Sequence, residues 1–345
     1  MPSINPITIG ITMGDPCGVG PELAILGASR VTEDQEVRGL IIGDATRLQQ
    51  ALELLQRHGR IAHSTTLQTI TSPEHLRDQG DAIGVLDLCN VPIDLPWGVV
   101  AAAAGRASYA YLERAVTLAM KHAIDAICTA PIHKKAWELA GISHPGHTEA
   151  LARLSDTKRY AMMLKNQHLR VVHATTHIPF GDIIPKLTVS RLVEVMMLAD
   201  QYLQRLGLGE RPVAVAGLNP HAGDGGLFGT EEAQIIVPAI QEARQKGLQV
   251  YGPLPADTVF ARGATGEFAA VIALYHDQGH IPIKMLGLDT GVNQTIGLPI
   301  IRTSVDHGTA FDVAGTGAVR DESMYYALQA AIEDAKSERQ SRAML

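Results

Sequence analysis

The chain has 345 residues, of which 46% are hydrophobic and 4% aromatic, and its formal net charge at pH 7 is −7. A chain of this length exceeds the usual size of a single core, so two domains with aliphatic cores are expected. The negative charge argues against a nucleic-acid-binding protein, which normally presents a basic face. No apolar run is long enough to cross a bilayer and the N-terminus does not resemble a secretion signal, so we expect a cytoplasmic protein that binds no membrane.

Short β-branched segments alternate with longer segments of helical spacing. The predicted strands are, in chain order, Ile7–Thr12, Val37–Ile42, Ala82–Leu88, Ala126–Thr129, Leu169–Ala174, Val213–Gly217 and Ala269–Leu274. The predicted helices are Val100–His122, Val193–Leu206, Glu231–Gln245 and Met324–Ala335. Strands that are separated by helices form βαβ units, so the sequence predicts an α/β fold with largely parallel sheets.

Three histidines, His177, His221 and His276, each follow one of the last three predicted strands within a few residues. Ligands of open α/β sheets bind outside the carboxyl ends of the strands, and three imidazoles with an open fourth position suit a catalytic divalent metal. Each histidine alone is compatible with an ordinary loop residue, but the three together favour a metal site. Asp277 is either a carboxylate that orients His276 or a helix N-cap.

A second group of residues suits an anionic ligand. His147 and Thr148 come just before a helical stretch, where Thr148 suits an N-cap and the helix N-terminus offers N–H groups to a phosphate; a plain capped helix is the alternative. Lys284, Asn293 and Arg302 add two cations and an amide in one region of the sequence. Arginine suits bidentate binding of phosphate or carboxylate, and apolar residues flank both cations, which argues against an ordinary exposed face.

Two stretches are rich in glycine: DHGTAFDVAGTG near the C-terminus, and GDPCGVGPE, which follows a predicted strand near the N-terminus. Both allow a ligand to approach the backbone, and Asp312 in the first loop suits a ribose hydroxyl. Neither loop matches the GxGxxG fingerprint, so tight turns between strand and helix are an equal alternative. Cys17, in the second loop, has no evident base near it in the sequence, and we interpret it as a packing residue rather than a nucleophile.

Eight long segments spread over most of the chain share one family pattern: ITMGDPCGVGPE, TAPIHKKAWELAG, PGHTEALA, THIPFGD, GLNPHAGDGGLFGTEE, GPLPADTVF, YHDQGHIPIK and GVNQTIGLPIIRTSVDHGTAFDVAG. Together they resemble the 4-hydroxythreonine-4-phosphate dehydrogenase family. The resemblance implies an α/β fold with two α/β/α domains flanking a cleft, like that of isocitrate and isopropylmalate dehydrogenases. We place the first domain at residues 1–135 plus 290–345 and the second at 136–289.

The resemblance also implies a cofactor, a metal and a partner chain. The metal ligands fall on His177, His221 and His276 and come from both subunits of a homodimer, whose active sites lie at the subunit interface. Zinc is favoured, and cobalt, manganese, nickel and magnesium are alternatives. The cofactor is NAD, because the carboxylate of Asp312 would repel the 2′-phosphate of NADP. The residues implied to bind NAD are His307, Gly308 and Asp312.

A small phosphorylated hydroxy acid is the implied substrate. Its contacts fall on His147, Thr148, Asp257, Lys284, Asn293 and Arg302. Lys284 is the candidate proton-transfer residue and Asp257 the alternative base. The implied reaction is oxidative decarboxylation, through a β-keto acid, of 4-phosphohydroxy-L-threonine or of 4-phospho-D-threonate and 4-phospho-D-erythronate; YHDQGHIPIK, with His280, is closer to the branch that uses the last two. The alternatives are a dihydrodiol dehydrogenase of the same family, a non-catalytic phosphosugar sensor on the same fold, and a hydrolytic metalloenzyme.

Overall fold

A computed structural model of the chain describes residues 6–31, 36–76 and 82–343. The strands are β1 (Ile7–Thr12), β2 (Val37–Gly43), β3 (Thr66–Ile70), β4 (Ala82–Asp87), β5 (Ala126–Thr129), β6 (Ala161–Lys165), β7 (Arg170–His173), β8 (Val213–Ala216), β9 (Val250–Leu254), β10 (Ala270–Ala273), β11 (Val292–Ile296) and β12 (Ile301–Ser304). The helices are α1 (Gly20–Val31), α2 (Ala45–Arg57), α3 (Ala102–Met120), α4 (Lys134–Leu139), α5 (His147–Leu154), α6 (Ile183–Lys186), α7 (Val189–Arg205), α8 (Val237–Gln245), α9 (Ala256–Ala264), α10 (His276–Leu286) and α11 (Glu322–Ala343). The predicted α/β class with largely parallel strands is confirmed.

Two compact units make up the chain. One consists of the residues up to Lys158 together with Leu298–Lys336, and the other of Arg159–Gly297 together with the residues from Ser337 onward. The first two of the three crossings between the units lie later in the chain than the boundaries predicted at 135/136 and 289/290, and the third, at 336/337, was not predicted. The first boundary lies later than predicted because α5 packs on α3 within the first unit. The second boundary lies later than predicted because β11 pairs with β6 of the second unit, whereas β12 pairs with β5 of the first unit.

The first unit contains a parallel sheet in the order β3–β4–β2–β1–β5–β12. Its inner strands carry fully buried aliphatic residues such as Ile9, as is typical of parallel sheets. Because β1, β5 and β12 are neighbours, the loops after their carboxyl ends leave the same edge. Backbone hydrogen bonds join these loops, from Asp15 N to Pro131 O at 2.9 Å and from Val19 N to Thr309 O at 3.0 Å.

The second unit contains a sheet in the order β11–β6–β7–β10–β8–β9. Strand β6 runs antiparallel to both of its neighbours, and the pairs from β7 to β9 are parallel. Residues of these strands, such as Val172 and Ile272, pack with Leu192 of α7 and Ile240 of α8 in one apolar core. The strands β7, β10 and β8 are consecutive in the sheet, so their following loops also share one edge.

Two helices, α2 and α7, begin where the sequence supplies a capping side chain. Asp44 accepts a hydrogen bond from the backbone nitrogen of Arg47 at the start of α2, and Thr188 accepts one from Arg191 at the start of α7. Such caps satisfy N–H groups that have no partner inside the helix. Among the helices of the described residues, none combines the length and the apolar character needed to cross a membrane.

Candidate active site

The three predicted metal ligands leave one edge of the second unit's sheet. His177 follows β7, His276 follows β10 and His221 follows β8, each within five residues of the strand end. Because β10 lies between β7 and β8 and pairs with both in parallel, the carboxyl ends of these strands meet at the same edge. The predicted positions of the three histidines at strand ends are thus confirmed, whereas their common ligand stays a prediction.

His177 and His276 lie side by side, with their ring centroids 5.4 Å apart. Nδ1 of His276 is 2.6 Å from Oδ1 of Asp277, so the carboxylate accepts the Nδ1 hydrogen and Nε2 is the ring nitrogen that could bind a metal ion. A histidine that binds a metal ion through one ring nitrogen usually donates a hydrogen bond from the other, often to a carboxylate. The N-cap of α10 is Tyr275, so the interpretation of Asp277 as an N-cap was wrong and the orienting interpretation fits.

His221 lies in a left-handed turn of the backbone. The φ angles are 53° at His221, 56° at Ala222, 83° at Gly223, 42° at Asp224 and 67° at Gly225. Residues other than glycine enter this region at a cost of about 1–2 kcal/mol each. Such strain persists only where the surroundings hold the backbone, and it is frequent at functional sites.

A buried carboxylate, that of Glu232, holds the beginning of this turn. Its Oε1 accepts hydrogen bonds from the backbone nitrogens of Leu218 at 2.8 Å and Asn219 at 2.7 Å, and its Oε2 accepts from Nδ2 of Asn219 at 2.8 Å. Glu232 also begins a π-helical turn, Glu232–Ile236, where the sequence predicted an ordinary helix. Sequence reasoning missed this residue, since a glutamate near a helix start is usually only a favourable charge.

The donor chemistry of the second unit fits a divalent metal, although the three histidines do not form one cluster among the residues that the structure describes. His177 and His276 are adjacent, while the ring of His221 has Phe228 as its neighbour, with centroids 6.4 Å apart. Over the described ranges of the chain, no group of three potential ligands is arranged to hold a metal ion. Neutral imidazoles, one of them oriented by Asp277, are nonetheless the donors that zinc prefers.

Two further histidines surround His276 and were not assigned a role from the sequence. The ring of His280 stacks on that of His276, with centroids 3.6 Å apart and planes 12° apart. Nδ1 of His280 lies 3.1 Å from Nε2 of His173. Burial, assisted by the neighbouring His280, lowers the pKa of His173 to about 3, so His173 is neutral. His173 lies within the predicted strand Leu169–Ala174 and gives no signal of its own in the sequence.

In the first unit, Arg302 supplies a buried positive charge beside His147. Its Nε and Nη2 atoms donate to Oγ1 of Thr129 at 3.2 Å and 2.8 Å. Burial lowers the pKa of Arg302 to about 10, so the guanidinium stays charged at neutral pH. Burial and the nearby Arg302 charge hold the pKa of His147 well below its usual value. The pair therefore combines a cation with a neutral imidazole, which suits an anionic ligand.

His147 and Thr148 occupy the first turn of α5. The N-cap is Gly146, so the prediction that Thr148 caps this helix was wrong. Residues of a first turn point N–H groups out of the helix end, where a phosphate can accept them. The ring of His147 meets that of the fully buried Trp137 edge-on, with centroids 5.8 Å apart, which limits its rotation.

The remaining predicted substrate residues lie in the second unit. Lys284 is a half-buried residue of α10, and Asp257 is exposed in the first turn of α9. Asn293 lies on β11, and its buried Oδ1 has no hydrogen-bond partner among the residues that the structure describes. An unsatisfied buried acceptor is costly, so a ligand that donates to it would be favoured. Arg302, which the sequence placed in the same region as Asn293, lies instead on β12 of the first unit.

The loop after β12 has its predicted cofactor residues exposed: His307, Gly308 and Asp312. Glu22, which is fully buried in the first turn of α1, accepts hydrogen bonds from the backbone of this loop. Its Oε2 accepts from the backbone nitrogen of Gly315 at 3.1 Å and its Oε1 from that of Gly317 at 2.8 Å. Burial raises the pKa of Glu22, while these N–H groups and the nearby Arg60 act in the opposite direction. An exposed carboxylate on an anchored loop fits a ribose diol.

The N-terminal glycine-rich loop contains two buried ionisable groups. Burial and the nearby Asp15 raise the pKa of the Cys17 thiol to about 12, which confirms that Cys17 is a packing residue. Burial also raises the pKa of Asp15 to about 6, although the backbone nitrogen of Cys17 donates to its Oδ1 at 2.8 Å and Arg47 lies nearby. Within the described parts of the chain, Oδ2 of Asp15 has no hydrogen-bond partner.

Residues 35–331 match the family model described as pyridoxal phosphate biosynthetic protein PdxA. The chain belongs to the PdxA family. A PdxA relative, the D-threonate 4-phosphate dehydrogenase of Cupriavidus necator, is 47% identical over 327 residues, which cover 94% of this chain and 96% of the relative. The 4-hydroxythreonine-4-phosphate dehydrogenase of Desulfosudis oleivorans is 44% identical over 329 residues, which cover 95% of this chain and 96% of that protein.

A solved PdxA-type structure has the same fold. The 4-hydroxythreonine-4-phosphate dehydrogenase of Klebsiella pneumoniae is 42% identical and superimposes with a TM-score of 0.89, covering 97% of this chain and 99% of that one. These similarities confirm the family resemblance that the eight sequence segments indicated. The PdxA relatives carry two different substrate names, so membership of the family does not by itself determine the substrate.

Proposed function

We propose that the chain is a dehydrogenase that uses a divalent metal ion and NAD to oxidise and decarboxylate a 4-phosphorylated hydroxy acid. The observation that carries this proposal is the position of His177, His276 and His221 at the carboxyl ends of three consecutive parallel strands. The dehydrogenase names of relatives that are 47% and 44% identical support the reaction class.

The metal is held by His177, His221 and His276, with ligands shared between two copies of the chain in a homodimer. The segments that carry these histidines also carry large exposed apolar side chains: Phe180 is 78% exposed, Leu227 72% and Met285 82%. Exposed apolar side chains beside a polar site favour coverage by another chain. Zinc is preferred, with cobalt, manganese, nickel or magnesium as alternatives; when bound, the ion supplies the Lewis acidity that lowers the pKa of the substrate hydroxyl.

NAD is held by His307, Gly308 and Asp312 on the loop that Glu22 anchors. NAD supplies the hydride acceptor when bound. Asp312 favours NAD over NADP because its carboxylate accepts from a ribose hydroxyl and repels a 2′-phosphate.

The side chains of the protein bind the substrate and move its protons. Arg302, His147 and the first turn of α5 at Thr148 bind the phosphate or the carboxylate, and Oδ1 of Asn293 accepts a hydrogen bond from the substrate. Oxidation of the substrate hydroxyl releases one proton, and the carbon that loses carbon dioxide takes one up. We assign these proton transfers to Nζ of Lys284, with Asp257 as the alternative base.

Two substrate classes fit this site. Oxidative decarboxylation of 4-phospho-D-threonate or 4-phospho-D-erythronate yields dihydroxyacetone phosphate, and that of 4-phosphohydroxy-L-threonine yields 3-amino-2-oxopropyl phosphate. The 47% identity to the D-threonate 4-phosphate dehydrogenase of Cupriavidus necator favours the first class. A dihydrodiol has no phosphate for Arg302 and the first turn of α5 to bind, and this argues against a dihydrodiol dehydrogenase.

A turnover panel tests the proposal. The full-length protein is supplied with NAD and Zn²⁺, Co²⁺ or Mn²⁺, and NADH and carbon dioxide are measured with each phosphorylated acid and with an unphosphorylated analogue. We expect metal-dependent turnover of the phosphorylated acids, and loss of turnover in His221→Ala while NADH still binds. Undiminished turnover by that variant after chelator treatment would refute the metal role. Ligand binding without any NADH formation would instead indicate a sensor.

A further inference from the structure

One stripe of α10 carries three functional side chains at a spacing of four residues. His276 begins the helix, His280 follows one turn later, and Lys284 one turn after that. Residues four apart lie one above the other on a helix surface. His280 therefore stands between a proposed metal ligand and the proposed proton-transfer residue, although the proposed function gives it no task.

His280 fixes His276 by two kinds of contact. Its ring lies parallel to that of His276, with centroids 3.6 Å apart and planes 12° apart. Its Nδ1 lies 3.0 Å from the backbone oxygen of His276, and 3.1 Å from Nε2 of His173. The stacked ring is thus held in place from a second side by a residue of β7.

The partners of these nitrogen atoms determine where the hydrogens lie. The backbone oxygen of His276 can only accept, so Nδ1 of His280 carries a hydrogen and donates it. Nε2 of His173 then accepts from the same N–H group, and Nδ1 of His173 points its own hydrogen at the backbone oxygen of Met162, 3.4 Å away. The donor and acceptor roles of these three nitrogen atoms are mutually consistent, which favours one fixed orientation of the His280 ring.

The glycine before His280 makes this arrangement possible. A Cβ atom on Gly279 would overlap Nε2 of His173 and would also crowd Val171, at 2.7 Å from its Cγ1. His173 can approach His280 only because position 279 has no side chain. The pair Gly279–His280 in YHDQGHIPIK is therefore one structural unit with His173.

We propose that His280 is a positioning residue that holds the His276 imidazole in the orientation that binds the metal ion. The χ2 torsion of a histidine has a broad energy profile, and the hydrogen bond to Asp277 restrains the ring through one atom only. Stacking by His280 restrains the plane of the ring, so Nε2 keeps one direction. The proposal rests on the proposed metal site and goes beyond it, since it assigns a task to a side chain that is not a ligand.

Titration of the full-length protein with Co²⁺ tests this inference, with the visible spectrum of the bound ion as a second readout. Loss of a residue that orients a ligand typically weakens metal binding by about 10- to 100-fold. We expect a loss of this size and an altered Co²⁺ spectrum in His280→Ala. His280→Phe keeps a flat ring over His276 without the hydrogen bonds, and should recover part of the affinity. Gly279→Ala, which displaces His173 but leaves His280 in place, should give an intermediate loss.

Two controls separate the possible outcomes. His168→Ala removes an exposed histidine of the same unit and should leave Co²⁺ binding unchanged. Co²⁺ binding by His280→Ala with the affinity and spectrum of the wild type overturns the positioning role, and if that variant does not fold, the same result in His280→Leu, which has no flat ring to stack on His276, does so. Failure of the wild type to bind Co²⁺ would instead remove the proposed metal site, so the two hypotheses fail in different ways.

Discussion

Oε1 of Glu22 accepts a hydrogen bond from the backbone nitrogen of Gly317 at 2.8 Å, across 295 positions of the sequence. The other oxygen of the same carboxylate accepts from Gly315. The first turn of α1 is thereby tied to the loop that carries Asp312. The conformation in which this loop would meet NAD depends on a buried carboxylate beneath it.

Replacement of Glu22 by glutamine should weaken cofactor binding. The amide oxygen still accepts from the backbone nitrogen of Gly317, but the amide nitrogen, which can only donate, faces the backbone nitrogen of Gly315. One buried hydrogen bond is therefore lost. A lost buried hydrogen bond costs about 1–3 kcal/mol, and if the bound loop bears most of this cost, NADH affinity falls by about tenfold or more. NADH fluorescence titration measures the change. Glu333→Gln, at an exposed position of α11, is the control, and equal affinities in both variants would contradict the anchoring role.

Asp15 should make the stability of the protein fall between about pH 4 and pH 6. Burial raises its pKa from 3.8 to about 6, so in this range the folded state binds more protons than the unfolded state, and the free energy of unfolding decreases as the pH rises. A shift of this size corresponds to about 3 kcal/mol as an upper estimate. Above pH 6 the folded protein bears this full cost of a buried carboxylate.

Asp15→Asn removes the ionisable group and keeps an acceptor for the backbone nitrogen of Cys17. We expect the variant to be more stable than the wild type at pH 7.5 and the difference to vanish near pH 4, as measured by urea unfolding over this range. Asp94→Asn, at an exposed position, should show no such pH-dependent difference. An Asp15→Asn protein that is less stable than the wild type at pH 7.5, with the difference vanishing at low pH, would show that the charge interaction with Arg47 outweighs burial.

The strand pattern could be predicted from the sequence where the chain is buried and β-branched. Ile7–Thr12 and Ala126–Thr129 were predicted with the bounds that the structure has. The strands β11 and β12 were missed because the few residues between them are apolar. The sequence therefore gives no polar signal at the point where the chain passes from the second unit to the first. Asn293 and Arg302 were consequently assigned to one region of the sequence, although they belong to different units.

The candidate site could be predicted only in its chemically distinctive residues. His177 and His221 lie in polar loops after strands, and His276 begins the helix that follows a strand, where an imidazole is conspicuous. Glu232 and His173 were missed because their roles depend on partners that packing brings together, and neither residue type is unusual at its position. Local patterns cannot identify such contacts, since the partners lie far apart in the chain.

Arg302 should contribute most to the recognition of phosphorylated substrates. Loss of a buried charge-assisted hydrogen-bonding group costs about 3 kcal/mol, so Arg302→Met should raise KM for a phosphorylated acid by about 100-fold and change KM for an unphosphorylated analogue much less. The pKa of His147 should also rise, because a positive charge that lowers it is gone; NMR titration measures this shift. Arg153→Met removes the same charge from an exposed position of α5 and serves as the control. Similar KM increases for both substrates would remove Arg302 from the phosphate site.

The left-handed turn at His221 offers a matched pair of glycines, Gly223 and Gly225. Both have positive φ angles, 83° and 67°, so alanine at either position costs about 1–2 kcal/mol from backbone strain. A Cβ on Gly223 would also lie 2.9 Å from Oε2 of Glu232, whereas one on Gly225 meets nothing within 4 Å. Gly223→Ala should therefore displace Glu232 and cost a further 1–3 kcal/mol or so through weakened hydrogen bonds to Leu218 and Asn219. Urea unfolding and Co²⁺ titration of the two variants check this: a larger loss of stability and of metal affinity is expected for Gly223→Ala, and equal losses would show that Glu232 does not hold the turn.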